Sequence, residues 1–254
     1  MSPVPLWCPP PEMVTLGSEE VHVWCAMLDL PVSQVQSLLH TLAVDEQARA
    51  ERFSFQKARE HFIVARWVLR AILGLYLNRE PSLLHFCYNP YGKPALAEEC
   101  DGDTFRFNVS HSHGLALYAI TRNREVGIDL ERIRTNLAIK QIAQRFYSPQ
   151  EAAMICALPA DMQPEAFFSC WTRKEAYIKA RGEGLSFPLD QFDVSSALGQ
   201  PAALLSIKGY PQEASPWTIQ ELTPASGYAA ALAVEGHGWR LAQWEWPTEV
   251  FLIK

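Results

Sequence analysis

The chain has 254 residues, 48% apolar and 20% charged, enough for one large domain or two small ones with a sizeable core. Its formal net charge of −6 supplies no phosphate-neutralising excess, which excludes a general nucleic-acid binder. No apolar run approaches the roughly 20 residues of a membrane span. The first dozen residues, rich in proline, lack the basic start and apolar core of a signal peptide, and six widely spaced cysteines without a Cys-x-x-Cys pair fit the reduced thiols of a cytoplasmic protein.

After an extended, Pro-rich lead-in over residues 1–20, residues 21–28 are apolar enough for a buried strand. Ser33 is placed to cap a helix through Leu42, and Asp45 to cap the next through Arg52. In residues 57–78, Phe62, Ala65, Leu69, Ile72 and Leu73 recur at helical spacing, with Arg59, His61, Arg66 and Arg70 on the polar side and Pro81 as the stop. Asn89-Pro90-Tyr91-Gly92-Lys93-Pro94 is dense in turn residues, and residues 98–103 form an acidic loop. Strands are expected over 105–110, 115–121 and 126–131, then helices over 137–146, 148–158 and 164–180, the last ended by Gly182-Glu183-Gly184. Strand candidates at 192–195, 204–208, 217–222, 228–234 and 239–244 read as an antiparallel meander.

In Val126-Gly127-Ile128-Asp129-Leu130-Glu131 the period is two, so Asp129 and Glu131 share a face a few ångströms apart. Carboxylates so close repel unless something positive lies between them, and a hard divalent cation such as Mg²⁺ answers that need; a solvated face with Glu131 paired to Arg132 or Arg134 is the alternative. Glu175 and Lys179 lie at i and i+4 on one helix face, either as an ion pair worth about 0.2–0.5 kcal/mol or as part of a site. Ser110 and His111 are adjacent on a strand and point to opposite faces, which argues against a Ser–base pair, and a Gly-x-Ser-x-Gly elbow is absent. Both could instead contact a ligand, as could Lys93, held in a stiff turn.

Tyr91-Gly92-Lys93-Pro94, Phe107-Asn108-Val109-Ser110-His111-Ser112, the 126–131 strand, Arg145-Phe146-Tyr147-Ser148, Trp171-x-x-Lys174-Glu175-Ala176-Tyr177-Ile178-Lys179 and Gly182-x-Gly184-Leu185 occur in order over roughly residues 45 to 190. The set resembles the 4'-phosphopantetheinyl transferase superfamily in its longer, Sfp-like, pseudo-dimeric branch. The resemblance implies an α/β (α+β) fold of two pseudo-symmetric halves, residues 1–123 and 124–254, each a small antiparallel sheet on a long helix, with coenzyme A in the cleft between them. It implies an enzyme, a monomer, that moves the phosphopantetheine arm of coenzyme A to a serine of an acyl, peptidyl or polyketide carrier protein, leaving adenosine 3',5'-bisphosphate. On this resemblance Asp129, Glu131 and Glu175 would hold Mg²⁺, Glu175 would act as general base, and Lys179 would assist the departing phosphate. Lys93, Ser110 and His111 would contact the nucleotide, with Arg49, Lys174 and one of Arg59, His61 and Arg66 as further phosphate contacts; His61 stands where related chains can carry Arg. The stretch from Arg132 through Arg134 and Lys140 to Arg145 has no acid after Glu131 and is the expected docking surface for an acidic carrier. A different Mg²⁺-dependent phosphoryl-transfer enzyme and a non-catalytic carrier- or coenzyme A-binding module are the competing readings.

Overall fold

A computed structural model describes residues 7–100, 104–197, 199–208 and 214–247. The head of the Pro-rich lead-in, the end of the acidic loop and the C-terminal tail past residue 247 lie outside the described residues, as does the side chain of Leu185.

The element order repeats. The first half runs β1 (Glu20–Met27), α1 (Val32–Leu39), α2 (Val44–Glu51), α3 (Gln56–Leu77), a hairpin of β2 (Phe86–Tyr88) and β3 (Pro94–Leu96), β4 (Phe105–Ser112) and β5 (Leu115–Arg122). The second runs β6 (Val126–Arg132), α4 (Ile139–Phe146), α5 (Pro149–Ala157), α6 (Gln163–Arg181), a hairpin of β7 (Phe192–Val194) and β8 (Leu204–Ile207), β9 (Trp217–Leu222) and β10 (Tyr228–Glu235). The sheets repeat too: β4-β5-β1 is matched by β9-β10-β6, with the middle strand antiparallel to both neighbours. The division expected after residue 123 falls in the turn between β5 and β6, where Asn123 takes a left-handed φ of 56°.

Alternation on the strands sorts side chains into three cores. On β1 and β5, Trp24, Ala26, Tyr118 and Ile120 face α3, meeting Val64, Val68, Leu69 and Ile72. Their neighbours Val21, Val23, Leu117 and Ala119 face the second sheet, meeting Val126, Ile128, Leu130, Leu232 and Val234. The far face of the second sheet packs on α6. The order of layers is therefore helix, sheet, sheet, helix, and both sheets are buried on both faces, which explains the near-continuous apolar runs of β1 and β5.

Several expectations need correction. Ser33 lies inside α1, whose N-cap is Pro31; α2 is capped by Ala43, whose N–H donates to Glu46 rather than to Asp45. α3 ends at Asn78 in the left-handed region, before Pro81. The C-terminal strands are not one meander. The chain leaves β10 through Gly236 and Gly238, both at positive φ, and β11 (Arg240–Glu245) returns to the first sheet, parallel to β1 with Trp244 opposite Trp24. This covers the outer edge of β1, an edge that would otherwise present unpaired backbone groups. The β2–β3 hairpin escaped sequence reading because three-residue strands carry no usable periodicity.

Candidate active site

The acidic face of β6 looks onto α6, and Gly127 sets how close they come. A Cβ on Gly127 would lie 2.0 Å from the Ala176 carbonyl oxygen and 2.3 Å from the Ala180 amide nitrogen. Glycine inside a strand marks such a backbone approach. With Ala176 and Ala180 on the facing side of the helix, the contact carries Asp129 up to Lys179. The Lys179 ammonium donates to Asp129 Oδ1 at 2.6 Å and to Ser110 Oγ at 3.0 Å. Glu175 stands one turn before Lys179, so the helix expectation of a shared face places an acid and a base against the β6 carboxylates.

From the first half, β4 lies along the free edge of β6. Asn108 Oδ1 accepts from the Ile128 N–H at 2.9 Å, Ser110 Oγ from Leu130 at 3.2 Å and Ser112 Oγ from Arg132 at 3.1 Å. The Ser110 hydroxyl donates to Asp129 Oδ1 and the Ser112 hydroxyl to Glu131 Oε2. His111 points the other way, as strand alternation requires, and Ser110 makes no bond to it.

Asp129 is 4% exposed, and its Oδ2 is buried without a hydrogen-bond partner. Burial, then the Asp129 charge, raises Glu131, against the Ser112 hydrogen bond. Burial, then Asp129, pushes Glu175 up to about 7, with Glu131 adding to this and Lys179 opposing it. A cluster in which Glu131 and Glu175 are both raised beside the Asp129 charge is under-neutralised by the Lys179 ammonium, and its donors are all hard oxygen. Among the described residues no group of three or more His, Cys, Asp or Glu side chains is already drawn together as a metal cage. The orphan Asp129 Oδ2 and the like charges of Glu131 and Glu175 beside it nonetheless fit a divalent cation. Beside them a groove of about 230 Å³ is lined by Tyr91, Lys93, Asn108, Val109, Lys179 and Gly184.

A family model described as the 4'-phosphopantetheinyl transferase superfamily matches residues 125–233, and one described as 4'-phosphopantetheinyl transferase, N-terminal, matches residues 31–122. The 4'-phosphopantetheinyl transferase HetI of Nostoc sp. is 41% identical over 94% of this chain and 98% of its own length. The chain belongs to the 4'-phosphopantetheinyl transferase superfamily. A putative 4'-phosphopantetheinyl transferase of Synechocystis sp. is 33% identical over 67% of this chain and 68% of its own, and Sfp of Bacillus subtilis is 29% identical over 68% and 76%. Holo-[acyl-carrier-protein] synthase of Thermotoga maritima overlays 44% of this chain and 62% of its own with a TM-score of 0.36 and 19% identity. The two matched segments lie on either side of the β5–β6 turn; β1 and β11 lie outside both.

In this superfamily member the structure gathers Asp129, Glu131, Glu175, Lys179 and Ser110 at the seam, with His111 on the opposite face of β4. Burial, then the nearby Lys179 and His61, holds the His111 imidazolium below its usual range. His61 itself bonds Asp29 Oδ1 at 2.8 Å, an oxygen that also takes Lys57. Arg49 is exposed on α2 with its guanidinium 5.6 Å from the Phe62 ring centroid, and Arg59 lines a separate groove with Val32, Leu39 and Phe53. Lys93 reaches its groove, but its ammonium donates to the Ala180 carbonyl at 2.9 Å and to Glu125 and Val126 O at 3.3 Å. Burial depresses it, against the pull of Glu125.

Two residues are committed elsewhere. Arg66 is buried between Glu46 and the Tyr88 hydroxyl, beside Arg70 on the same carboxylate. Lys174 is 0% exposed and pairs with Glu151 at 2.7 Å and the Leu189 carbonyl at 2.8 Å, because a rotation of about 100° from Glu175 turns it into the second core. Sequence reading missed Gly127, Asn108 and Ser112; the available signal was three short polar residues alternating on a strand face otherwise bound for the interior.

Proposed function

We infer that this chain is a 4'-phosphopantetheinyl transferase that moves the phosphopantetheine arm of coenzyme A to a serine hydroxyl of an apo carrier protein. The observation that carries the reading is the convergence of Asp129, Glu131, Glu175 and Lys179 at the seam of a chain belonging to this superfamily. The serine oxygen attacks the phosphorus that bears the pantetheine arm, the bond from that phosphorus to the bridging oxygen breaks, and adenosine 3',5'-bisphosphate leaves.

Glu175, poised near 7, is matched to accept the serine proton at neutral pH. Lys179, now held by Asp129 and Ser110, is the ammonium that turns to the leaving phosphate once Asp129 is otherwise neutralised. Asp129, Glu131 and Glu175 are the residues to hold Mg²⁺, which when bound would polarise the diphosphate oxygens and offset their charge. His111, His61 and Arg49 remain as candidates for the nucleotide phosphates. Lys93 joins them if phosphate replaces its backbone carbonyl acceptors. Ser110 acts in holding the site together, and Arg66 and Lys174 act in the cores of the two halves rather than in touching the nucleotide.

The carrier docks on α4, whose exposed Lys140 and Arg145 flank the exposed Phe146. Six free thiols agree with a cytoplasmic setting, and among the described residues no helix is long and apolar enough to cross a membrane. The internal repeat, which pairs the two halves within one chain, agrees with action as a monomer.

The test is to incubate the protein with apo carrier protein, coenzyme A and Mg²⁺ and to follow intact mass. Addition of one phosphopantetheine arm, abolished by chelator and by Asp129→Ala, is the expected result. No mass gain on acyl, peptidyl or polyketide carriers alike would overturn the reading, and full transfer in excess chelator would remove the metal from it.

A further inference from the structure

Among the described residues, the facing edge strands β4 and β6 share no backbone ladder. In its place, Asn108, Ser110 and Ser112 of β4 accept from the amides of Ile128, Leu130 and Arg132. Both strands have period two, so three alternate side chains meet three alternate amides in one fixed register. Two of these hydroxyls carry a second bond. The Ser110 hydroxyl donates to Asp129 Oδ1 at 3.0 Å, and the Ser112 hydroxyl donates to Glu131 Oε2 at 3.1 Å.

A serine hydroxyl offers one hydrogen and two lone pairs. With its hydrogen aimed at a carboxylate and a lone pair taken by an amide, it is locked in one rotamer. The neighbouring acid is then held in register with the backbone that bears it.

We propose that Ser112 is a positioning residue for Glu131, and Ser110 for Asp129: the β4 hydroxyls orient the acid pair from the opposite half, so that the site is competent only when the halves are in register. The inference rests on the transferase reading above. Ser112 has no other task in the site. Its hydroxyl is buried against β6, and its remaining contact is to the neighbouring His113 ring at 3.1 Å. Ser110 differs in also accepting from Lys179, so its removal disturbs the ammonium as well, and Ser112 is the cleaner residue to test. Partners that orient ligating carboxylates typically change metal affinity by about 10–100-fold when removed.

The experiment compares Ser112→Thr, which keeps the hydroxyl, with Ser112→Val, which keeps Thr's shape and loses it; Ser112→Ala serves if either β-branched side chain prevents folding. Three quantities are read on the full chain: amide exchange at Leu130 and Arg132, Mn²⁺ affinity by titration with spin-resonance detection, and the Mg²⁺ concentration giving half-maximal transfer. In Ser112→Val, exchange at Arg132 should quicken while Leu130 stays slow. Mn²⁺ affinity and the half-saturating Mg²⁺ should both worsen by about tenfold. Ser112→Thr should restore all three.

Faster exchange at Arg132 with unchanged metal affinity would reduce Ser112 to a staple and overturn the positioning role. Unchanged exchange and unchanged affinity would show that neither bond matters. The Mn²⁺ titration needs no turnover. An inactive wild-type protein would therefore defeat the transferase reading while leaving the Ser112 comparison to be decided on its own.

Discussion

Glu175 shows how environment assigns work to a residue. Its carboxyl titrates at about 7 in the folded protein against an ordinary 4.5, because burial and the Asp129 and Glu131 charges disfavour the anion. A raised folded-state pKa means that the folded state holds the proton more tightly. The stabilisation is therefore complete below about pH 4.5 and is lost as pH rises through 7. The thermal midpoint of the metal-free protein should fall on going from about pH 5 to about pH 8. Glu175→Gln should flatten much of that fall in calorimetry, leaving the smaller contribution of Glu131, which is shifted in the same direction. A midpoint that rises over this range in wild type would contradict the assignment.

Lys174, one residue away, illustrates the opposite case. Its ammonium is wholly buried against Glu151 and two carbonyls, so Lys174→Ala strands a buried carboxylate and should cost about 3–5 kcal/mol in denaturant unfolding. The KM for coenzyme A of the protein that still folds should not change. A raised KM at wild-type stability would return Lys174 to the ligand.

Among the elements, α4 and the β2–β3 hairpin carry the predictions. α4 buries Ile139 and Ala143, and Phe146 follows them on the same face, partly exposed with its ring edge-on to Trp171, while Lys140 and Arg145 stand in solvent to either side. Reversing Lys140 and Arg145 to Glu should raise the KM for carrier protein about tenfold and flatten the salt dependence of kcat/KM, with the KM for coenzyme A nearly constant. Arg134 is left alone because its charge also acts on Glu131. Carrier kinetics unmoved by the double reversal would put the docking surface elsewhere. The hairpin presents Lys93 to the end of α6, where it satisfies the Ala180 carbonyl that the helix terminus leaves open. Lys93→Ala should lower stability by about 1–2 kcal/mol, the cost of an unmet buried acceptor. If the ammonium also takes phosphate, the KM for coenzyme A rises; a stability loss without a change in KM identifies Lys93 as a tie between the halves only.

At the scale of the whole molecule the two sheets share a core. Val21, Val23, Leu117 and Ala119 on one side and Ile128, Leu130, Leu232 and Val234 on the other are each buried by the partner sheet. Neither half alone can cover that face, and a contiguous apolar sheet surface drives association. Heat should therefore unfold the full chain in a single transition by scanning calorimetry. Residues 1–123 expressed alone should aggregate or self-associate by light scattering. A monomeric, cooperatively folded fragment would mean that the shared core contributes little. β11 adds to this interdependence, since the strand that covers the edge of β1 comes from beyond β10.

Local pattern determined the elements and the chemistry. The alternation of residues 126–131 put Asp129 and Glu131 on one face, the i, i+4 spacing put Glu175 with Lys179, and Gly182 ended α6 as expected, at a left-handed φ of 75°. These are properties of a few consecutive residues with a fixed period, and no distant contact is needed to read them. Tertiary structure decided everything that depended on which surfaces meet. It turned Lys174 and Arg66, two cations that look like ligand contacts on a helical wheel, into buried partners of Glu151 and Glu46. It engaged Ser110 with Asp129 and a β6 amide, and it sent β11 to the first sheet instead of the second. The physical reason is the same in each case: a side chain's period names the face it occupies, but only packing between elements far apart in sequence settles whether that face meets solvent, a ligand or another strand.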